Sequence, residues 1–154
     1  MPSRTGATPI AASLIPAFDR LLETHGGSEV VFGTWHGDWV PWNMKRTRTG
    51  LVVLDWERSD GWAPVGVDAV HFDFQTRLWV RGEDPRSALS RTLRDVPAYL
   101  DALGVPDRSS GMVVGLTMLE TALRQEEGAA AGVPLPRRLY DALPEIIDRT
   151  IYQR

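Results

Sequence analysis

Between Val31 and Glu57 the chain reads VFGTWHGDWVPWNMKRTRTGLVVLDWE, and this stretch concentrates the residue types that handle protons and phosphates. Asp38 and Asn43 are separated by four residues, and Asp55 closes the apolar run Leu51-Val52-Val53-Leu54. A loop of that length lets one side chain face an acceptor hydroxyl while the other faces a cation. A strand returning to the loop would set Asp55 beside Asn43. Two hard oxygen ligands suit magnesium, which takes one or two carboxylates and completes its octahedron with phosphate oxygens and water. The chemistry such a set supports is phosphoryl transfer, with an Asp at the hydroxyl and an Asn and a second Asp on the metal.

Those side chains need elements to hold them. A first strand from Val31 leads into the polar loop His36-Gly37-Asp38, and a basic turn with Lys45, Arg46 and Arg48 leads to the second strand, Leu51 to Leu54. The two strands are expected to pair, with Thr49-Gly50 in the turn. Before them an amphipathic helix is expected from Pro9 or Ser13 to His25, with Ile10, Leu14, Phe18, Leu21 and Leu22 on its apolar side. Pro16 inside it suits a start at Ser13 and predicts a kink if the start is Pro9. After the second strand, Ser59 to Val65 reads as loop, and Val67 to Val80 as a buried, nearly all-apolar helix containing His71, a core histidine. Asp84-Pro85 is a cap followed by Pro at the first helical position. The helix that follows carries Leu89, Leu93, Val96, Leu100 and Leu103 to a stop at Gly104, with Pro97 bending or splitting it. Ser109 or Ser110 should cap a fourth helix with Met112, Leu116, Leu119 and Leu123. Gly128 to Pro136 reads as loop, and Leu139, Leu143, Ile146, Ile147 and Ile151 mark a last helix.

The ordered set His36, Gly37, Asp38, Trp39, Pro41 and Asn43, then Asp55, Trp56 and Glu57, resembles the aminoglycoside phosphotransferase and choline kinase-like family. The loop there commonly reads His-Gly-Asp-aromatic-His-Pro-Gly-Asn, and the later motif Ile-Asp-Trp-Glu. Val40 and Trp42 depart from the family's His and Gly. The resemblance implies that Asp38 is the catalytic base and that Asn43 and Asp55 hold Mg²⁺ on the phosphates of ATP or GTP. It also implies that Asp68 begins the next helix and steadies the loop. His36 is then a structural residue, and Glu57 a supporting one without an assigned role. Trp39 and Trp56 are expected to point inward and anchor the loop, leaving Trp42 as the candidate substrate contact. Lys45, Arg46 and Arg48 read more simply as a solvated turn than as phosphate contacts.

Composition limits the alternatives. At 154 residues, with 43% hydrophobic and 24% charged residues, the chain reads as one domain of an ordinary globule. A net charge of −3 gives no electrostatic case for nucleic acid or an acidic membrane. There is no cysteine, which excludes disulfides and zinc–thiolate sites and fits a cytoplasmic setting. No apolar run approaches membrane-spanning length, and no signal peptide is read. Three histidines at 25, 36 and 71 are too scattered for a metal-dependent phosphohydrolase.

The expected fold is α+β and mostly helical, a single domain over residues 1–154. On the resemblance it is the C-terminal lobe of the protein kinase-like fold, with a small β-hairpin element at the catalytic loop. No Gly-rich loop and no Lys-bearing strand precede the motif, so the nucleotide-roofing N-terminal lobe is expected to be absent. The expected partners are a small hydroxyl-bearing substrate and a separate N-lobe chain or a second copy. The rival expectations are a non-catalytic binding or regulatory module and an inactive fragment.

Overall fold

The computed structural model describes residues 8–134 and 136–152. The polar N-terminal residues 1–7, expected to fray, lie outside the described residues. The architecture is α+β and mostly helical, with two small antiparallel sheets set against a helical body. Helix α1 (Pro9–His25) leads to β1 (Phe32–Trp35), then to a single 3₁₀ turn Pro41–Asn43, β2 (Met44–Thr47), β3 (Gly50–Val53) and β4 (Asp60–Pro64). The body continues with α2 (Val67–Gln75), α3 (Pro85–Ala102), α4 (Asp107–Ala130), α5 (Arg137–Tyr140) and α6 (Leu143–Ile151).

The strand pairing differs from the sequence expectation. β1 does not pair with the Leu51–Leu54 run; its partner is β4, with Phe32 opposite Pro64 and Gly33 opposite Ala63. The stretch expected as a loop after the Asp-Trp-Glu motif therefore contains a strand. The apolar run instead closes a tight hairpin with β2, with Met44 opposite Val53 and Thr47 opposite Gly50. Pairing within the hairpin needs only the short turn at Arg48 and Thr49, whereas β1 with β3 would have to close over the whole segment from His36 to Thr49.

Helix α1 starts at the earlier of the two expected positions, where the Thr8 hydroxyl accepts from the Ala11 amide. It runs through Pro16, which has no amide to offer the Ala12 carbonyl; both residues are exposed, where that lost bond costs least. Ile10, Ala17 and Leu21 are buried, while Phe18 and Leu22 are half exposed, so the apolar stripe is wider than the core it meets. Gly115 of α4 admits α1 closely, since a Cβ there would strike the Leu21 side chain. Helices α1, α4 and α6 pack on one another, and α2 packs on α3 and α4. The shared core includes Phe74, Leu89, Leu100, Met118, Leu143 and Ile146, all fully buried.

Helix boundaries moved in four places. The expected Val67–Val80 helix is α2 followed by a wider π turn, Thr76–Val80, and it is not apolar: Asp73 and Arg77 are buried in it. Arg77 Nε donates to Asp73 Oδ2 at 2.7 Å and Nη2 to Asp95 Oδ2 at 2.7 Å, while the Thr92 hydroxyl donates to Asp73 at 2.7 Å. Those paired charges explain how a polar set is tolerated inside. Asp84 caps α3 as expected, and Pro97 leaves the helix unsplit because it sits on the exposed side. Neither Ser109 nor Ser110 caps α4, which starts at Asp107 after Pro106; the Ser109 hydroxyl instead donates to the Glu29 carbonyl. Helix α4 also extends through Gly128 to Ala130, and the last expected helix is divided into α5 and α6.

Candidate functional site

His36, Gly37 and Asp38 follow β1 directly, and helix α2 fixes their backbone. Asp68, in the first turn of α2, accepts from the His36 amide through Oδ2 at 2.6 Å and from the Gly37 amide through Oδ1 at 3.1 Å. The steadying role expected of Asp68 is therefore present as geometry. Gly37 has φ +83°, and a Cβ there would run into the Arg58 carbonyl, so the loop can pass only with glycine.

The buried His36 ring ties the loop to the end of β3. Its Nδ1 lies 3.2 Å from the Asp38 amide, which can only donate, so Nδ1 accepts and Nε2 carries the proton donated to the Leu54 carbonyl at 2.8 Å. The ring is held edge-on by Trp39 and at a tilt by Trp56, with centroids 5.7 and 4.5 Å away. His36 is thus a structural link between the residues next to Asp38 and Asp55.

Asn43 ends the 3₁₀ turn and is buried. Its Nδ2 donates to both Oδ2 and the backbone carbonyl of Asp38, at 2.9 and 3.0 Å. Its own carbonyl accepts from the Leu54 amide at 2.8 Å, which places Asp55 one residue beyond the backbone bond that anchors Asn43. The hairpin β2–β3 produces that return, rather than the strand pair expected from sequence. Asp55 is exposed and has φ 62°, an uncommon conformation for a non-glycine residue and one in which Asp is enriched. Among the described residues its carboxylate has no hydrogen bond or ion pair, and the Asn43 side-chain oxygen accepts none.

Asn43 and Asp55 offer one amide oxygen and one carboxylate, hard oxygens of the type magnesium takes and both without a protein donor among the described residues. The described residues hold no group of three or more His, Asp or Glu that could cage a metal alone. An ion here would draw most of its ligands from phosphate and water, which is magnesium's habit.

The remaining residues divide clearly. Trp42 is 54% exposed on the 3₁₀ turn, and Glu57 is exposed with no partner among the described residues. Trp56 is not an inward anchor in full: its ring meets His36 and its Nε1 donates to the Val53 carbonyl at 2.9 Å, yet half its surface is open. Trp39 is partly buried and lines two adjoining clefts, the larger about 480 Å³ and bounded also by Phe72, Thr76, Arg81 and Tyr99. Lys45, Arg46 and Arg48 are exposed on the hairpin and pair with no acid among the described residues.

Two side chains that the sequence did not flag meet Asp38. His71, read as a satisfied core histidine, is buried, but its Nε2 has no hydrogen-bond partner and stands 3.5 Å from Asp38 Oδ1. Arg124, on α4, lies 3.7 Å from the same oxygen, donates to the Gly37 carbonyl and to Glu120, and covers the Trp35 ring at 5.9 Å. No local motif announces either, because both reach the loop only through helix packing. The neighbouring His71 imidazole, with Asn43 and Arg124, holds the Asp38 carboxyl below its usual range, against the opposing effect of burial.

Comparison with family profiles, with curated proteins and with solved structures finds no match to this chain. Among the described residues no helix is long and apolar enough to cross a membrane.

Proposed function

We propose that this chain is the catalytic lobe of a kinase-like small-molecule phosphotransferase, similar to the aminoglycoside phosphotransferase and choline kinase-like family. It would move the γ-phosphoryl group of ATP or GTP to the hydroxyl of a small substrate. The observation that carries this reading is the Asn43 junction: its amide nitrogen holds Asp38, its backbone carbonyl anchors the residue before Asp55, and its free oxygen is left for a cation.

Asp38 is one-third exposed at its side chain and stays ionised at neutral pH, so it presents an acceptor to an incoming hydroxyl. A carboxylate with a lowered pKa is a weak base. It suits a reaction whose loose transition state asks mainly that the hydroxyl be oriented, with the proton accepted late. Asn43 and Asp55 would hold Mg²⁺, which when bound neutralises charge across the β- and γ-phosphates. Asp68 and His36 keep the loop rigid while this occurs. A cytoplasmic setting, with nucleotide and magnesium at hand, goes with the reading.

Asp38→Asn tests it in the active assembly, the chain alone or with its N-lobe partner, with turnover and Mg²⁺-dependent nucleotide affinity measured on one preparation. Turnover should fall on the order of 10²–10⁴-fold, the usual contribution of a positioned base, with nucleotide affinity nearly unchanged. Unchanged turnover would make Asp38 a loop residue only.

One observation favours the second reading, a non-catalytic nucleotide- or partner-binding module. Trp42, Leu51, Val52, Leu54 and Trp56 are all between 43% and 58% exposed on and around the β2–β3 hairpin, apolar side chains open to solvent that another chain could cover. Nucleotide binding without turnover, in the presence of every acceptor class offered, would decide for it.

A further inference from the structure

We infer that His71 is a positioning residue for Asp38, donating from Nε2 to Oδ1 so that the carboxylate is fixed for the acceptor hydroxyl. The inference rests on the phosphotransfer reading and adds to it a residue that the loop motif does not contain.

The argument begins with α2. Asp68 and His71 are three residues apart on this helix, so their side chains lie on neighbouring tracks of one surface. Asp68 grips the backbone of His36 and Gly37, and one turn later His71 comes up beneath the side chain of the next residue, Asp38. A histidine that merely filled core would carry a carbonyl or hydroxyl partner on a buried ring nitrogen. His71 Nε2 has none among the described residues, although the side chain is only 7% exposed. Leaving a buried polar atom unpaired is unfavourable unless a partner completes it. The nearest acidic oxygen, Asp38 Oδ1 at 3.5 Å, lies a small ring rotation from hydrogen-bond length.

The rest of the carboxylate is already arranged around that contact. Asn43 Nδ2 occupies Oδ2 at 2.9 Å, and Arg124 approaches Oδ1 at 3.7 Å from α4 while bonded to the Gly37 carbonyl. Asn43 alone would allow the carboxylate to pivot about a single bond. With His71 it is held at both oxygens, from the 3₁₀ turn on one side and from α2, whose Val70 and Phe74 are in the core, on the other. In a reaction driven by alignment, a displacement of about 1 Å at the base costs on the order of 10²-fold in rate.

The test compares His71→Leu, which keeps bulk but removes the donor, with His71→Gln, whose amide nitrogen reaches about as far as Nε2. Turnover of His71→Leu should fall on the order of 10²-fold with nucleotide KM unchanged, and His71→Gln should recover most of the loss. Equal losses in both variants, or no loss in either, would overturn the inference. A second readout needs no activity. With ¹⁵N-labelled histidine, the His71 Nε2 resonance should show the protonated nitrogen and should shift in Asp38→Asn. A resonance indifferent to Asp38→Asn overturns the positioning role even if His71→Leu fails to fold. If that resonance shifts but the wild-type chain, alone and together with a candidate N-lobe chain, transfers no phosphoryl group, the phosphotransfer reading fails and the His71–Asp38 contact stands.

Discussion

Replacing Asp68 by Ala removes the carboxylate that holds the backbone of two consecutive loop residues. It accepts from the His36 amide at 2.6 Å and the Gly37 amide at 3.1 Å, and both of those residues are buried. Hydrogen bonds to a charged group contribute about 1.5–3 kcal/mol each, and an orphaned buried N–H costs about 1–3 kcal/mol. The Asp68 side chain is only partly buried, so water can enter the gap and the lower part of each range applies. The sum is a loss of about 2–4 kcal/mol, a large share of the roughly 5–15 kcal/mol that stabilises a domain. Urea unfolding followed by tryptophan emission reads it directly, with a midpoint about 1–2 M lower for a slope near 2 kcal/mol/M. Asp68→Asn keeps one acceptor oxygen and turns its amide nitrogen toward the other N–H, so it should lose roughly half as much. A midpoint for Asp68→Ala within error of wild type would refute the reasoning, as would equal losses for the two variants.

Three further outcomes are expected. The Asp38 carboxyl is held below its ordinary range in the folded chain, so it binds a proton more readily when unfolded. Its contribution to stability is therefore complete above the ordinary Asp value near 3.9 and fades as pH falls through the lower folded value. Asp38→Asn should flatten that acid limb in urea midpoints collected from about pH 5 downward, and an unaltered limb would remove the His71 and Arg124 contacts as its cause. Arg77→Leu strands the buried Asp73 carboxylate, and should cost about 3–5 kcal/mol by the same unfolding measurement. Gly37→Ala forces a side chain against the Arg58 carbonyl at φ +83°, and should cost at least about 1–3 kcal/mol and disturb the His36 ring resonances; a neutral effect would mean the turn is slack.

The sequence by itself determined a good deal, because much of this fold is local. Apolar stripes at helical spacing located α1, α3, α4 and the last helical region, which the structure divides into α5 and α6, and Ile10, Leu21, Leu89, Val96, Leu100, Leu143 and Ile146 are all buried. Asp84 followed by Pro85 marked the start of α3, since capping needs only neighbours in the chain. The loop motif identified Asp38, Asn43, His36 and Asp68 as residues that belong together, and they are hydrogen-bonded into one unit.

What the sequence could not decide is where chain segments distant from one another come to rest. The apolar run before Asp55 reads as a partner for β1, with Lys45 to Arg48 as a turn, because alternation within a strand does not name its neighbour. Only the folded chain pairs β1 with β4 and returns Asp55 through the β2–β3 hairpin. The stripe of α1 includes Phe18 and Leu22, but whether they are covered depends on what α4 brings to that side, and they stay half exposed. Neither His71 nor Arg124 is itself part of a motif, and packing of α2 and α4 is what delivers both to one oxygen of Asp38. Which residues gather at the loop was legible from residue types and spacing. The setting of its carboxylate belongs to the tertiary structure, because charges and donors act through space and not along the chain.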